Sequence, residues 1–268
     1  MYTVLVFLLF ALGLVLIIKG GDYFVDSAVW IAGVSGIPKF IIGATVVSIA
    51  TTMPELIVSL MAAVEGKVDI AIGNAIGSVT ANTGIILAFS IMLAPFAIRA
   101  KDYSLKTFLL IFAVLSLYIF SLTGKLSVIG CIILALIFAI FTYETLKSAK
   151  NEQSDERTVI SSKKEVKINV IKFIGGCLGI IIGARLLVDN GTVIAQILHV
   201  PDSIISVTMI AIGTSLPELI TAITAIRKKQ GALSAGNIVG ANIIDTTLIL
   251  PVCSLVAGKP LTVPAQAL

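Results

Sequence analysis

Charge is scarce in this chain. Asp, Glu, Lys and Arg make up 13% of its 268 residues, roughly half the ~25% of an ordinary soluble domain. Histidine occurs once, at His199. Cysteine occurs three times, at Cys131, Cys177 and Cys253, each alone in an apolar stretch. That leaves no metal-ligand spacing of Cys or His, which argues against a zinc-type site and a histidine-based catalytic centre. The cysteines read as small buried side chains. The net charge of +4 does not suggest nucleic acid as a partner, because most Lys and Arg fall in short loops, where they report topology. No basic region precedes the first apolar run, which argues against a cleaved signal peptide. What the chain has in abundance is apolar residues, 57% of the total, with a mean hydropathy of +1.08. Its apolar runs reach or approach the ~20 residues needed to cross a bilayer. The fold class is all-α: a polytopic membrane protein whose surroundings are lipid.

The pattern predicts eight spans, near residues 3–33, 38–64, 69–94, 104–122, 126–145, 168–189, 201–227 and 232–257. Residues 146–167 are polar and poor in aromatics, a solvated linker too short for a domain of its own. The chain divides into a first repeat (1–145), this linker, and a second repeat (168–268).

The repeats are recognised by a polar signature carried twice. One copy reads Thr45-Val-Val-Ser-Ile-Ala-Thr-Thr-Met-Pro-Glu55 and the other Thr208-Met-Ile-Ala-Ile-Gly-Thr-Ser-Leu-Pro-Glu218. Each is followed at the same distance by Gly-Asn-x-x-Gly, at 73–77 and 236–240. The offset is constant, 218 − 55 = 163, and also pairs Gly20 with Gly183, Asp26 with Asp189, Pro38 with Pro201 and Asn82 with Asp245. Five spans separate equivalent positions. An odd number of crossings turns the second copy upside down, giving an inverted-topology repeat of the kind that places a transport site at the membrane midplane between repeats.

Loop charges set the orientation. With the N-terminus outside, the inner loops carry Lys39, Arg99, Lys101, Lys106, seven basic residues from Lys147 to Lys172, and Arg227 to Lys229; the outer loops carry only Lys67, Lys125 and Lys259. The positive-inside rule therefore predicts a cytoplasmic linker in a multi-pass protein of the cell membrane. Leu268 is the equivalent of Leu105, so the chain stops where a counterpart of the fourth span would begin. The expectation is a shortened second repeat, five spans plus three.

A carboxylate inside a membrane helix is costly and marks a functional site by default. On the second span Ser48, Thr51, Thr52 and Glu55 share one face, as do Ala211, Thr214, Ser215 and Glu218 on the seventh. Pro54 and Pro217 free the carbonyls of Ala50 and Gly213. Asn74, Ser78 and Asn82 form a stripe on the third span, matched by Asn237, Ala241 and Asp245 on the eighth. Gly73, Gly77, Gly236 and Gly240 are spaced for close helix approach. Together these helices offer carboxylate, hydroxyl, amide and carbonyl oxygens without nitrogen or sulfur donors, a set suited to hard cations such as Ca²⁺ and Na⁺. Plainer roles stand beside this one. Thr and Ser also bond their own backbone, Asn74 and Asn237 serve equally as glue between helices, and Asp26 and Asp189 read as interface or packing residues. For Glu55 and Glu218 a salt-bridge role lacks any intramembrane base nearby. An intramembrane hydrolase with paired acids finds no support in the hydroxyl-rich stripe, so the chain is not read as an enzyme.

At these residues the chain resembles the cation/Ca²⁺ antiporter superfamily, in particular prokaryotic sodium/calcium exchangers, whose repeats read approximately G-T-S-L-P-E and G-N-x-x-G-S. Gly213 to Glu218 match the first pattern unaltered. Ala50 to Glu55 and Gly240-Ala241 depart from the two patterns. The resemblance implies five plus five spans and transported Na⁺ and Ca²⁺, with no cofactor and no protein partner. It implies that Glu55 and Glu218 are the central ligands. Thr51, Thr52, Thr214 and Ser215, and the carbonyls of Ser48 and Ala211, would surround them, with Ser78, Asn82 and Asp245 completing the ring. The expected function is electrogenic Na⁺/Ca²⁺ antiport by alternating access. A proton-coupled cation/Ca²⁺ antiporter and a shortened, non-transporting fragment are the competing readings.

Overall fold

The structure, a computed structural model, describes residues 2–93, 100–151, 162–199 and 213–263. The first predicted span is α1 (Tyr2–Ser35). The second is two helices, α2 (Lys39–Thr51) and α3 (Met53–Val64), bent by 44° at Thr52. The third to sixth spans are α4 (Val68–Leu93), α5 (Ala100–Ser121), α6 (Val128–Asn151) and α7 (Lys163–Ile197). Helix α8 (Leu216–Arg227) is the second half of the seventh span, and α9 (Gly231–Ala257) is the eighth. Six of these are long and apolar enough to cross a membrane, and the bent α2–α3 pair makes a seventh. Many large apolar side chains face outward, among them Leu8, Phe108, Ile129 and Ile171, as a lipid-facing surface requires.

Two expectations change. Helix α6 runs on through Asn151 and α7 begins at Lys163, so helix takes both ends of the 146–167 stretch. The α7 start is fixed by a capping box, in which Glu165 N–H donates to Ser162 Oγ and Ser162 N–H donates to Glu165 Oε2. Lys106, counted among loop charges, lies inside α5 and is buried, its ammonium over the Phe40 ring and near Ser148.

Successive spans alternate in direction, so the chain has two ends. One, the linker face, carries the end of α1, the end of α6, the start of α7 and Lys228. The other, the distal face, carries Glu65, Lys67 and a short antiparallel pairing of β1 (Lys125–Leu126) with β2 (Leu261–Thr262). Helix α9 is the hub. It crosses α2 through glycines: Gly236 lies against the Phe40 carbonyl, and a Cβ on Gly240 would fall 2.5 Å from Ser48 Oγ and 2.6 Å from the Ala44 carbonyl. No such approach occurs for Gly73 and Gly77 among the described residues; their counterpart surface, residues 203 and 207, lies outside them. The most apolar stretch of α9 is 83% buried, against 22% for its repeat equivalent α4. The difference arises because α5 and α6 cover α9, and no described hairpin does the same for α4.

Helices α1 and α7 pack antiparallel along a glycine seam. A Cβ on Gly13 would lie 3.0 Å from the Gly183 carbonyl, and one on Gly176 would lie 2.8 Å from the Gly20 carbonyl. The 163-residue offset turns the first contact into the second, which is what a two-fold axis in the membrane plane demands. Gly176→Ala should destabilise the protein by about 1–3 kcal/mol through overpacking. Gly175, one residue away with open space around it, should tolerate Ala or gain up to ~1 kcal/mol of helix propensity. Thermal unfolding midpoints in detergent check both.

Candidate cation site

From Gly213 onward the second signature builds the same local structure as its equivalent from Ala50 onward in the first. The chain leaves the helix at Thr52 with φ −83°, ψ 1° and at Ser215 with φ −85°, ψ 3°. These lie near the sparsely populated bridge region where site residues concentrate. Pro54 and Pro217 then open new helices, α3 and α8, placing Glu55 and Glu218 in their first turns. A helix N-terminus favours a carboxylate there. The Ala50 carbonyl, freed by the proline as predicted, receives the Cys177 thiol of α7 at 3.6 Å. Each hub helix carries a π-helical turn, Asn82–Leu87 in α4 and Asp245–Ile249 in α9, starting at equivalent residues. Another, Gly43–Val47, lies in α2. Such turns free backbone groups and recur at functional sites.

The structure buries Ser48, Thr51, Thr52, Glu55, Ser78, Asn82, Ser215, Glu218 and Asp245, each at most 3% exposed. Thr214 is half-buried, and Ala211 lies outside the described residues. Glu55, Glu218 and Asp245 are close enough for their charges to act on one another. Thr52 Oγ1 donates to Glu218 Oε1 at 3.2 Å, tying the break in one repeat to the acid of the other. Both oxygens of Glu55 and of Asp245, the second oxygen of Glu218, and the oxygens of Ser78, Asn82 and Ser215 have no hydrogen-bond partner among the described residues. Buried polar atoms are normally satisfied, so this concentration of bare oxygens is a candidate place for something positive. No basic side chain in the described residues pairs with Glu55 or Glu218. Nor do three acidic, Cys or His side chains there converge tightly enough to chelate one ion by themselves. A cation would be shared between carboxylates and neutral oxygens.

The asparagines act as braces across the repeats. Thr51 Oγ1 donates to Asn237 Oδ1 and Thr214 Oγ1 to Asn74 Oδ1, both at 3.1 Å. Asn74 Nδ2 is held by the Glu55 carbonyl at 3.2 Å and Ser59 Oγ at 3.0 Å. Sequence reasoning missed one brace. Asn242, on α9 but off the repeat register, accepts from Asn82 Nδ2 at 3.1 Å and donates to Thr83 Oγ1 at 2.9 Å. Its repeat equivalent is Val79, so the offset that exposed the other residues concealed it. Asp26 also has a partner that spacing could not reveal, Lys228 at 2.8 Å.

The description "Sodium/calcium exchanger protein" belongs to a family whose pattern matches residues 5–147 and 168–267. The chain belongs to the sodium/calcium exchanger family. Within it, the chain is 30% identical to the sodium/calcium exchanger MaX1 of Methanosarcina acetivorans, covering 98% of this chain and 85% of that one. It is 34% identical to an uncharacterised membrane protein of Methanocaldococcus jannaschii, with 94% and 82% covered. Among solved structures it is similar to the sodium-calcium exchanger NCX_Mj soaked with Na⁺ and Sr²⁺, at a TM-score of 0.85 and 32% identity, covering 99% of this chain and 86% of that one. This family and fold are those of multi-pass cation exchangers, transporters rather than enzymes.

In this exchanger Glu55→Gln and Glu218→Gln remove charge and keep shape. Each should leave the unfolding midpoint in EDTA at or above that of the parent chain. A carboxylate with a structural basic partner would instead lose about 3–5 kcal/mol on replacement.

Proposed function

We propose that the chain exchanges Na⁺ for Ca²⁺ across the membrane by alternating access, with the N-terminus outside and the 146–167 stretch in the cytoplasm. The observation that carries this reading is the set of bare, buried oxygens at two mirrored helix breaks, with no basic residue among the described residues to neutralise them. Glu55 and Glu218 are the central ligands. The hydroxyls of Thr51, Thr52, Thr214 and Ser215 and the carbonyls of Ser48 and Ala211 surround them, and Ser78, Asn82 and Asp245 extend the oxygen set along α4 and α9. Six to eight hard oxygens suit Ca²⁺. Two or three carboxylates can neutralise one Ca²⁺ or several Na⁺, so either cargo satisfies the site while both together crowd it. That mutual exclusion couples the two fluxes. Family membership and the printed names of MaX1 and NCX_Mj support the pairing of these two ions.

Uptake of ⁴⁵Ca²⁺ into Na⁺-loaded proteoliposomes at fixed pH tests it. An outward Na⁺ gradient should drive uptake, and Glu55→Gln should reduce it to background while the protein still elutes as a single folded species. Uptake that ignores Na⁺ but follows a proton gradient would replace Na⁺ by H⁺ as the coupling ion. Retained transport in Glu55→Gln would remove Glu55 from the site.

A further inference from the structure

The two halves of the molecule are equivalent in sequence but not in closure. On the linker face α1 is shut against α8. A Cβ on Gly21 would lie 2.9 Å from Thr224 Oγ1 and 3.1 Å from Ile220 Cγ2. Just beyond this contact Lys228, at the end of α8, bonds Asp26 of α1 at 2.8 Å and Asp22 at 3.3 Å. The 163-residue offset converts Gly21, Ile220 and Thr224 into Ala184, Ile57 and Met61. On the distal face those three residues do not meet. They line a cavity of about 540 Å³ between α7 and α3, which also reaches Asn74 and Thr214 of the cation site.

The ion pair has an equivalent too, with its charges exchanged. Lys228 corresponds to Glu65, and Asp22 to Arg185. Arg185 lies at the cavity wall, its side chain 84% exposed, and its described ion pair, at 3.6 Å, is with Asp189 of its own helix. Glu65 is occupied by neighbouring Lys67 at 2.7 Å. Both halves of a second bridge are therefore present and apart.

We propose that Lys228 with Asp22 and Asp26 is a latch that holds the linker face closed while the distal face is open, and that Arg185 and Glu65 form the opposing latch when α7 closes on α3. The inference rests on the alternating-access reading above. Partial burial lowers the Lys228 ammonium, but hydrogen bonds to Asp26 and Asp22 and the charges of both outweigh it and hold it above the usual lysine range, so the lysine stays charged at physiological pH. Each exposed pair is worth a small bias, which suits a catch that must release on every cycle.

Thiol labelling tests the latch without any ion gradient. In a chain with Cys131, Cys177 and Cys253 replaced by Ala, Met61→Cys places one thiol at the distal cavity. Its reaction rate with a membrane-impermeant maleimide added at that face reports the open population. Lys228→Gln should slow labelling by about two- to fivefold per lost carboxylate pair. The Asp22→Asn/Asp26→Asn double variant should do the same by the other partner, and Lys228→Arg should restore the parent rate. Adding Arg185→Gln to Lys228→Gln should bring the rate back toward the parent, because it weakens the opposing latch; a merely structural lysine would show no such rescue. An unchanged rate in both Lys228→Gln and the double Asn variant would overturn the proposal, as would a slowed rate that Arg185→Gln leaves unrescued. Either result alongside intact Na⁺-driven uptake strikes the latch alone, whereas absence of exchange in the parent chain strikes the proposed function and leaves the labelling result to stand.

Discussion

Three carboxylates buried among apolar helices, with no basic side chain among the described residues to neutralise them, govern the rest of this molecule. An ionised acid away from water carries a desolvation cost of several kcal/mol, so the fold is consistent only if cations or protons arrive to share the site. Local structure around Glu55 and Glu218 reduces that cost without cancelling it. Helices α2 and α3 meet at a break, each acid sits in the first turn of a new helix, and the Thr52 hydroxyl reaches across to Glu218. The remaining oxygens are left bare. A site built this way is stabilised by whatever cation fills it, and transport follows if the filled site can face either side of the membrane.

The glycines divide the molecule into parts that hold and parts that slide. Gly236 and Gly240 press α9 into the backbone of α2, and the threonine–asparagine braces then bind α2, α4, α8 and α9 into one block around the acids. Any shift within that block would break buried hydrogen bonds. The contact of α1 and α7 with the block is different in kind. It consists of apolar side chains, a cysteine thiol on the Ala50 carbonyl and, at one end, an ion pair near water. Such surfaces can be exchanged for similar ones at low cost.

Much of this was legible in the sequence because two copies of one pattern cannot easily arise by chance in apolar helices. The offset located both acids, both prolines, the hydroxyls beside them and the inverted topology. Periodicity placed the spans, and the structure buries every described candidate residue except Thr214, which is half-buried. What the sequence hid was geometry that depends on partners far along the chain. The π-helical turns begin at Asn82 and Asp245, and the nearest breakers, Gly84 inside one and Pro251 just past the other, do not by themselves announce where they start. Asn242 lies off the repeat register. Lys106 looked like a loop charge because helix α5 begins before its apolar run does. Asp26 read as an interface or packing residue and does lie near the linker face, but its partner Lys228, two hundred residues away, could not be read from the sequence. Gly73 and Gly77 share the spacing of Gly236 and Gly240 but not, among the described residues, their close contacts. The surface they would meet, residues 203 and 207, lies outside the described residues.

An inverted repeat makes its own imperfections informative. If the sequence halves are equivalent, a contact that appears in both halves belongs to a body that keeps its shape, and a contact that appears in only one belongs to a boundary that moves. The glycine seam is of the first kind: Gly13 on Gly183 and Gly176 on Gly20 are the same contact seen twice. Helices α1 and α7 therefore form a unit that is unchanged by exchanging the two sides of the membrane. The meeting of Gly21 with Ile220 and Thr224 is of the second kind, since its equivalent on the distal face is an open cavity. In the proposed alternating-access cycle, moving the α1–α7 unit as one body would close one boundary as it opens the other, and the Asn74–Thr214 brace that lines the cavity would stay in place. Access to the carboxylates would then change sides without the carboxylates themselves moving.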